Sequence, residues 1–176
     1  LVTVAFPESL MSLGFYAFAY CDSLESVTIP DGGQLDSIMR GCFYQCASIK
    51  SFVVADSVQD IDEYAFYGCE ALAQLQLSSE SSLKLVGDFA FAYTNVSEFV
   101  MPKGLLEVGE SAFQGAAISH LAFNEKLTVL GDYAFDGCGL EATADIIIPE
   151  SVNTLGRCSL RGAVSVVNIT VPFIPY

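Results

Sequence analysis

Seven matched pairs divide this chain into units of similar length. They are Ala17-Phe18, Cys42-Phe43, Ala65-Phe66, Ala90-Phe91, Ala112-Phe113, Ala134-Phe135 and the degenerate Ser159-Leu160. Their second residues lie 25, 23, 25, 22, 22 and 25 residues apart. Four positions before each second residue sits Gly14, Met39, Asp62, Gly87, Gly109, Gly131 or Gly156. An aliphatic residue precedes that position every time: Leu13, Ile38, Ile61, Val86, Val108, Leu130 or Leu155. Self-similarity at this period marks a repeat solenoid, in which no single unit buries its apolar face alone.

Alternation assigns the pieces. Val27-Thr28-Ile29 and Leu75-Gln76-Leu77 read apolar, polar, apolar, which predicts one short strand per repeat. The expected strands are Val4–Phe6, Val27–Ile29, Phe52–Val54, Leu75–Leu77, Phe99–Met101, Leu121–Phe123, Ile146–Ile148 and Ile169–Val171. Pro7, Pro30, Pro102, Pro149 and Pro172 follow five of them, and proline, lacking an N–H, ends a strand. Asp88, Glu110 and Asp132 follow the glycine of their repeats. An acid at the head of the segment predicts a one-turn helix or 3₁₀ turn there. Stacked strands about 4.8 Å apart make a parallel sheet on one face. Each Phe then packs on the Phe of the next turn, and burying one ring contributes about 2–3 kcal/mol.

The pattern Leu-x-x-Val-x-Ile-Pro, an aliphatic-Gly pair, Ala-Phe, and Cys three residues later resembles the BspA-like leucine-rich repeats. The resemblance covers residues 1–176 as a single domain of about seven repeats. Departures are Met39 and Asp62 for glycine, Thr94, Ala116 and Ala163 for cysteine, and the weakened Ser159-Leu160 pair. The segment from Cys138 to Pro149 is two residues longer than that from Cys21 to Pro30, so Glu141 to Ala144 are expected to bulge outward. The resemblance implies a leucine-rich-repeat solenoid. It would be a right-handed curved superhelix with a parallel β-sheet on one face and short 3₁₀ or helical turns on the other, a β-dominated α/β fold. It also implies a cell-surface or secreted protein of mucosa-associated microbes that acts in adhesion. The chain opens inside a repeat at Leu1-Val2-Thr3-Val4, which predicts a piece of a longer protein.

Composition narrows the partners. The chain carries 21 acidic and 7 basic residues, a formal net charge of −14. Phosphate backbones and anionic membranes both recruit Lys and Arg, so nucleic acid and membrane surfaces are not the expected partners. No run of 18 uncharged apolar residues predicts a membrane span. A basic partner, a neutral glycan or a cation suits the charge, which also keeps an apolar solenoid in solution.

No constellation for chemistry emerges. Cys21, Cys46, Cys69 and Cys138 share one repeat position, and that register favours an inward row of thiols over a disulfide framework or metal site. Cys42 and Cys46 stand four apart without further ligands, and Cys158 has no evident mate. His120 is the only histidine, and no second histidine or nucleophile elbow accompanies it. The reading is therefore not an enzyme, with no catalytic residues, no metal and no cofactor. Glu8, Asp31, Asp56, Glu80, Glu125 and Glu150 follow the strands and are expected to line one edge of the sheet as a solvated ridge.

Variable outward strand positions are the candidate contacts. One row is Thr3, Ser26, Ser51, Gln74, Glu98, His120, Asp145 and Asn168, and the next is Ala5, Thr28, Val53, Gln76, Val100, Ala122, Ile147 and Thr170. The binding set expected from them is Ser26, Thr28, Ser51, Val53, Gln74, Gln76, Glu98, Val100, His120, Ala122, Asp145, Ile147, Asn168 and Thr170. Neither row is rich in the Trp, Tyr and Arg that anchor tight interfaces. This predicts weak or multivalent binding to a host or microbial surface protein or glycan. The alternative is a structural spacer that displays other domains. Tyr16, Tyr20, Tyr44, Tyr64, Tyr67, Tyr93 and Tyr133 gather around the Ala-Phe segment, where an aromatic patch able to stack on sugars would form. The end strands predict a monomer or weak end-to-end association, with Phe173 to Tyr176 as a crude cap.

Overall fold

The computed structural model describes residues 1–30, 32–78, 80–140, 145–163 and 168–171. Asp31, the Glu141–Ala144 bulge, Pro172 and the cap at Phe173 to Tyr176 lie outside the described residues. The chain winds into a β-solenoid, and each coil contributes up to two short strands. In chain order they are β1 (Thr3–Ala5), β2 (Ser26–Thr28), β3 (Ser37–Ile38), β4 (Ser51–Val53), β5 (Asp60–Ile61), β6 (Gln74–Gln76), β7 (Leu85–Val86), β8 (Glu107–Val108), β9 (Val129–Leu130), β10 (Ile146–Ile147), β11 (Thr154–Leu155) and β12 (Ile169–Thr170). All pairings are parallel.

Two ladders run along the solenoid. The continuous one is a six-stranded sheet in the order β11-β9-β8-β7-β5-β3. It consists of the aliphatic residues that precede the glycine position and the residues before them, which the alternation pattern did not mark as strand. The second ladder carries the expected outward rows and is broken into pairs. β1 pairs with β2, β4 with β6, Glu98 bridges His120, and β10 pairs with β12. Pairing follows chain spacing. On this face partners stand 22 or 23 residues apart and neighbouring coils that do not pair stand 24 or 25 apart, whereas the continuous ladder also spans steps of 25. Extra residues after β2 and β6 and before Asp145 account for the longer steps.

The limits of β1, β2, β4 and β6 lie one residue before the expected ones, because their ladders begin at the polar residue before the first inward side chain, whereas β10 and β12 start as expected and end one residue early. Val27 and Phe52 still point inward between exposed neighbours. The strands expected at Phe99–Met101 and Leu121–Phe123 shrink to the single Glu98–His120 bridge. Four prolines act as expected, starting turns: the carbonyls of Pro7, Pro30, Pro102 and Pro149 accept from Leu10, Gly33, Leu105 and Val152 at 3.0–3.2 Å.

The expected 3₁₀ or helical turns are absent: no helix occurs among the described residues. The backbone explains why. The residues two before and two after each ladder Phe, such as Tyr16 and Tyr20 or Tyr64 and Gly68, have positive φ. A right-handed helix cannot pass through such residues. Their amides also leave the coil. Tyr64, Phe66 and Gly68 donate to Asp88, Ala90 and Ala92 of the next coil at 2.8–2.9 Å. The amides between them close local turns three residues back, as Ala65 to Asp62, Tyr67 to Tyr64 and Cys69 to Phe66. Every amide of the segment is thereby satisfied without helical repetition. The fold is a β-solenoid with chained turns, not a β-dominated α/β fold.

The core sits between the two ladders and the turns. Phe18, Phe43, Phe66, Phe91, Phe113 and Phe135 stack with centroids 5.1–5.6 Å apart and planes within 17° of parallel. Five of these rings are fully buried. Phe52 and Phe99 reach into the same column from the strand face. Offset stacking of this kind adds about 0.5–1.5 kcal/mol per pair beyond burial.

Candidate functional site

The broken ladder gathers the outward rows into one face. Register places Thr3 beside Ser26, Ser51 beside Gln74, Glu98 beside His120, and Ile147 beside Thr170. Ser26, Thr28, Ser51, Val53, Gln74, Gln76, Glu98, Val100, His120, Ala122, Asp145, Ile147, Asn168 and Thr170 are all exposed. The chain alternates there because each strand must turn one residue in two toward the Phe column.

First-row residues contact one another and their chain neighbours. Asn168 Nδ2 donates to Asp145 Oδ1 at 2.9 Å. Ser119 Oγ lies 2.9 Å from His120 Nδ1. At the face's edge, Lys50 lies 3.7 Å from Glu25, both side chains well exposed. Such a pair adds little to stability. The acidic ridge residues Glu8, Asp56, Glu80, Glu125 and Glu150 are exposed, as expected. Asp56 is engaged by the Ser78 hydroxyl at 2.5 Å.

Shallow grooves open on this face. One of about 440 Å³ lies between Glu98–Met101 and His120–Asn124, where the ladder is reduced to a bridge. A second of about 590 Å³ is bounded by Phe123, Glu125, Ile147 and Glu150. A third of about 350 Å³ lies between Val53–Asp56 and Gln76–Ser78. They suit extended contact with a chain or chain-like ligand and offer no enclosed reaction chamber.

The turn side differs. Tyr16, Tyr20, Tyr44, Tyr64, Tyr67, Phe89 and Tyr93 form a continuous strip with centroids 5.1–6.4 Å apart. Tyr44 lies flat on Tyr67 at 4° and Tyr64 on Phe89 at 8°. These pairs give one ring face to each other, whereas Tyr16, Tyr20 and Tyr93 meet their neighbours edge-on and stay exposed. Further along, Arg157 and Arg161 both lie over the Tyr133 ring, at 5.2 and 5.3 Å. Arg161 also grips Asp136 with two hydrogen bonds of 2.7 and 2.6 Å. That grip holds the Asp136 carboxyl below the usual carboxylate range against the opposing effect of burial, with Gln114 adding a third bond.

The four buried cysteines offer no reactive thiol. All six are free. The thiols of Cys46, Cys69 and Cys138 donate to the carbonyls of Phe18, Phe43 and Phe113 of earlier coils at 2.9–3.2 Å. Burial pushes Cys42 and Cys138 up to about 12 and Cys46 to about 11, so no thiolate nucleophile forms near neutral pH. Cys69 shifts upward for the same reason. Among the described residues, no group of three or more His, Cys, Asp or Glu is placed to hold a metal ion. No described helix is long and apolar enough to cross a membrane.

Comparison with known proteins gives one family. A model of the BspA type leucine-rich repeat region, six copies, matches residues 1–115 and 84–173. No curated protein matches the chain significantly. A leucine-rich repeat protein from Bacteroides ovatus superposes with a TM-score of 0.74 at 26% identity, over 97% of this chain and 55% of that one. A leucine rich cell surface protein from Faecalibacterium prausnitzii gives 0.49 at 23% identity, over 96% and 59%. The leucine rich repeat protein of T. pallidum gives 0.45 at 21%, over 97% and 59%. The chain thus spans between one half and two thirds of each of these structures.

Proposed function

This chain belongs to the BspA type leucine-rich repeat family, and from that premise we propose that it is a non-enzymatic binding module that engages its partner through the broken strand face. The observation that carries this reading is the register. It brings two rows of variable, exposed side chains from successive coils onto one grooved surface. The Phe column and the turns beneath that surface are occupied with packing. The contacts are Ser26, Thr28, Ser51, Val53, Gln74, Gln76, Glu98, Val100, His120, Ala122, Asp145, Ile147, Asn168 and Thr170. The partner is a surface protein or glycan of a host or neighbouring microbe. The module is one domain of a larger cell-surface or secreted protein, and the family resemblance supports that placement.

An array of matrix proteins and mucin glycans probed with the purified chain tests this. Specific capture is expected, lost in Val100→Arg and retained in Tyr20→Ser on the turn side. Uniform failure to bind at high density, or equal capture by both variants, overturns it.

A further inference from the structure

The strand face has a period of two coils. Its ladder joins coils in pairs and lapses between pairs. Val53, Val100 and Ile147 follow that rhythm at 47-residue intervals, one on the leading coil of each of three pairs. They are 48%, 67% and 64% exposed. The trailing strands place Thr28, Gln76, Ala122 and Thr170 in the same row. Each exposed aliphatic side chain borders its own groove together with a carboxylate. Val53 shares one with Asp56, Val100 with Glu98, and Ile147 with Glu125 and Glu150. Phe123 lines both the Val100 and the Ile147 grooves.

This spacing selects a ligand backbone. Two coils advance about 10 Å, read from the Phe column, whose successive centroids stand 5.1–5.6 Å apart. An extended strand returns to one face every second residue, about 6.7 Å, and misses that step. An α-helix returns after seven residues, about 10.5 Å, but presents a stripe more than one side chain wide. The exposed apolar row here is one side chain wide, with Phe123 half-buried beside it, and is bordered by a polar row. A polyproline II helix returns every third residue, about 9.3 Å, in single file. Over two steps the mismatch is about 2 Å, within the play of exposed side chains.

We propose that the face binds a proline-rich, basic peptide segment in polyproline II conformation, laid along the solenoid axis. Every third residue sits on Val53, Val100 or Ile147, and Lys or Arg between them faces Asp56, Glu98, Glu125 and Glu150. Such a segment is already extended before binding, so little ordering entropy opposes contact. This deepens the reading of the strand face as a binding surface and rests on it.

Fluorescence anisotropy tests the period. The probe is a labelled (Pro-Pro-Lys)₅ peptide. Its controls are a peptide of the same composition with the lysines moved off the three-residue period, and an amphipathic helix of equal charge. The periodic peptide is expected to bind at least tenfold tighter than either control. Val100→Ser and Ile147→Ser should each weaken it about fivefold, with unchanged circular dichroism, and Tyr20→Ser should not. Equal affinity for the periodic and moved-lysine peptides would show charge alone at work and overturn the proposal, as would preference for the helix. If no peptide binds but an array ligand is lost in Val100→Ser, the polyproline assignment falls and the binding face stands. If array ligands ignore Val100→Ser and Ile147→Ser alike, the face itself falls.

Discussion

Gly131→Ala measures how closely the coils are stacked. A Cβ at Gly131 would lie 2.5 Å from Gly109 C, 2.6 Å from Glu110 N and 2.7 Å from Gly109 O. All three are backbone atoms of the coil beneath, and none can rotate aside. The sixth coil must therefore rise by about 1 Å before the atoms reach ordinary contact. That displacement stretches the Gly131 N–H bond to Val108 O, now 2.8 Å, out of hydrogen-bonding range. Overpacking of about 1–3 kcal/mol plus about 1 kcal/mol for the lost bond gives a cost of about 2–4 kcal/mol. For a chain of this length that lowers Tm by about 5–12 °C. Gly14 holds the same repeat position in the first coil, yet a Cβ there meets nothing within 4 Å. Gly14→Ala should be neutral or up to about 1 kcal/mol stabilising, because alanine restricts the unfolded chain. Urea unfolding followed by far-ultraviolet circular dichroism compares the two. A loss within about 0.5 kcal/mol of zero for Gly131→Ala, or equal losses for both variants, refutes the stacking argument.

Two further outcomes follow from buried groups. Titration of the native protein with a thiol reagent near neutral pH should modify exposed Cys158 first and half-buried Cys21 more slowly. Cys42, Cys46, Cys69 and Cys138 should react only on unfolding, when six thiols are counted without reductant; a lower count means disulfides and sinks the thiol reading. Asp136 contributes its stability while ionised. Its folded value lies below the unfolded value of about 3.9, so that contribution is present above about pH 4 and is lost as the pH falls through the folded value. Asp136→Asn should flatten the decline of Tm below about pH 4, and an unaltered acid limb contradicts the assignment.

Much of this architecture is legible in the residues, and its gaps have physical causes. The Phe column and the inward side chains show in sequence because both need large apolar groups at fixed intervals. The second ladder does not. Strands such as Ser37–Ile38 and Asp60–Ile61 hold two residues, too few for alternation to register. The aliphatic residue before the glycine position, present at every repeat, is the available sign. The turns misled because an acid after glycine suits a helix start equally well. The corrective signal lay in Gly41, Gly68, Gly115, Gly137 and Gly162, which fall two residues before or after the ladder residue, where φ is positive. The breaks in the strand face were encoded as spacings of 24 or 25 against 22 or 23, but their meaning required the pairing. The outward rows could be named from sequence. Their grooves arise from backbone separation, which no single residue reports.

The amides of the chained turns leave the solenoid with an electrical direction. From Tyr16 to Gly137 three columns of them all donate toward the following coil, at 2.7–3.0 Å. Their peptide dipoles add, as they do in an α-helix, although no helix is present. The sense is reversed: in a helix the positive end faces the N-terminus, whereas here it faces the later coils. Strand ladders have only small net dipoles and do not cancel this. The backbone is therefore polarised along its length on one side only, with the turn side acting as an axial dipole beside a sheet whose own backbone dipoles nearly cancel.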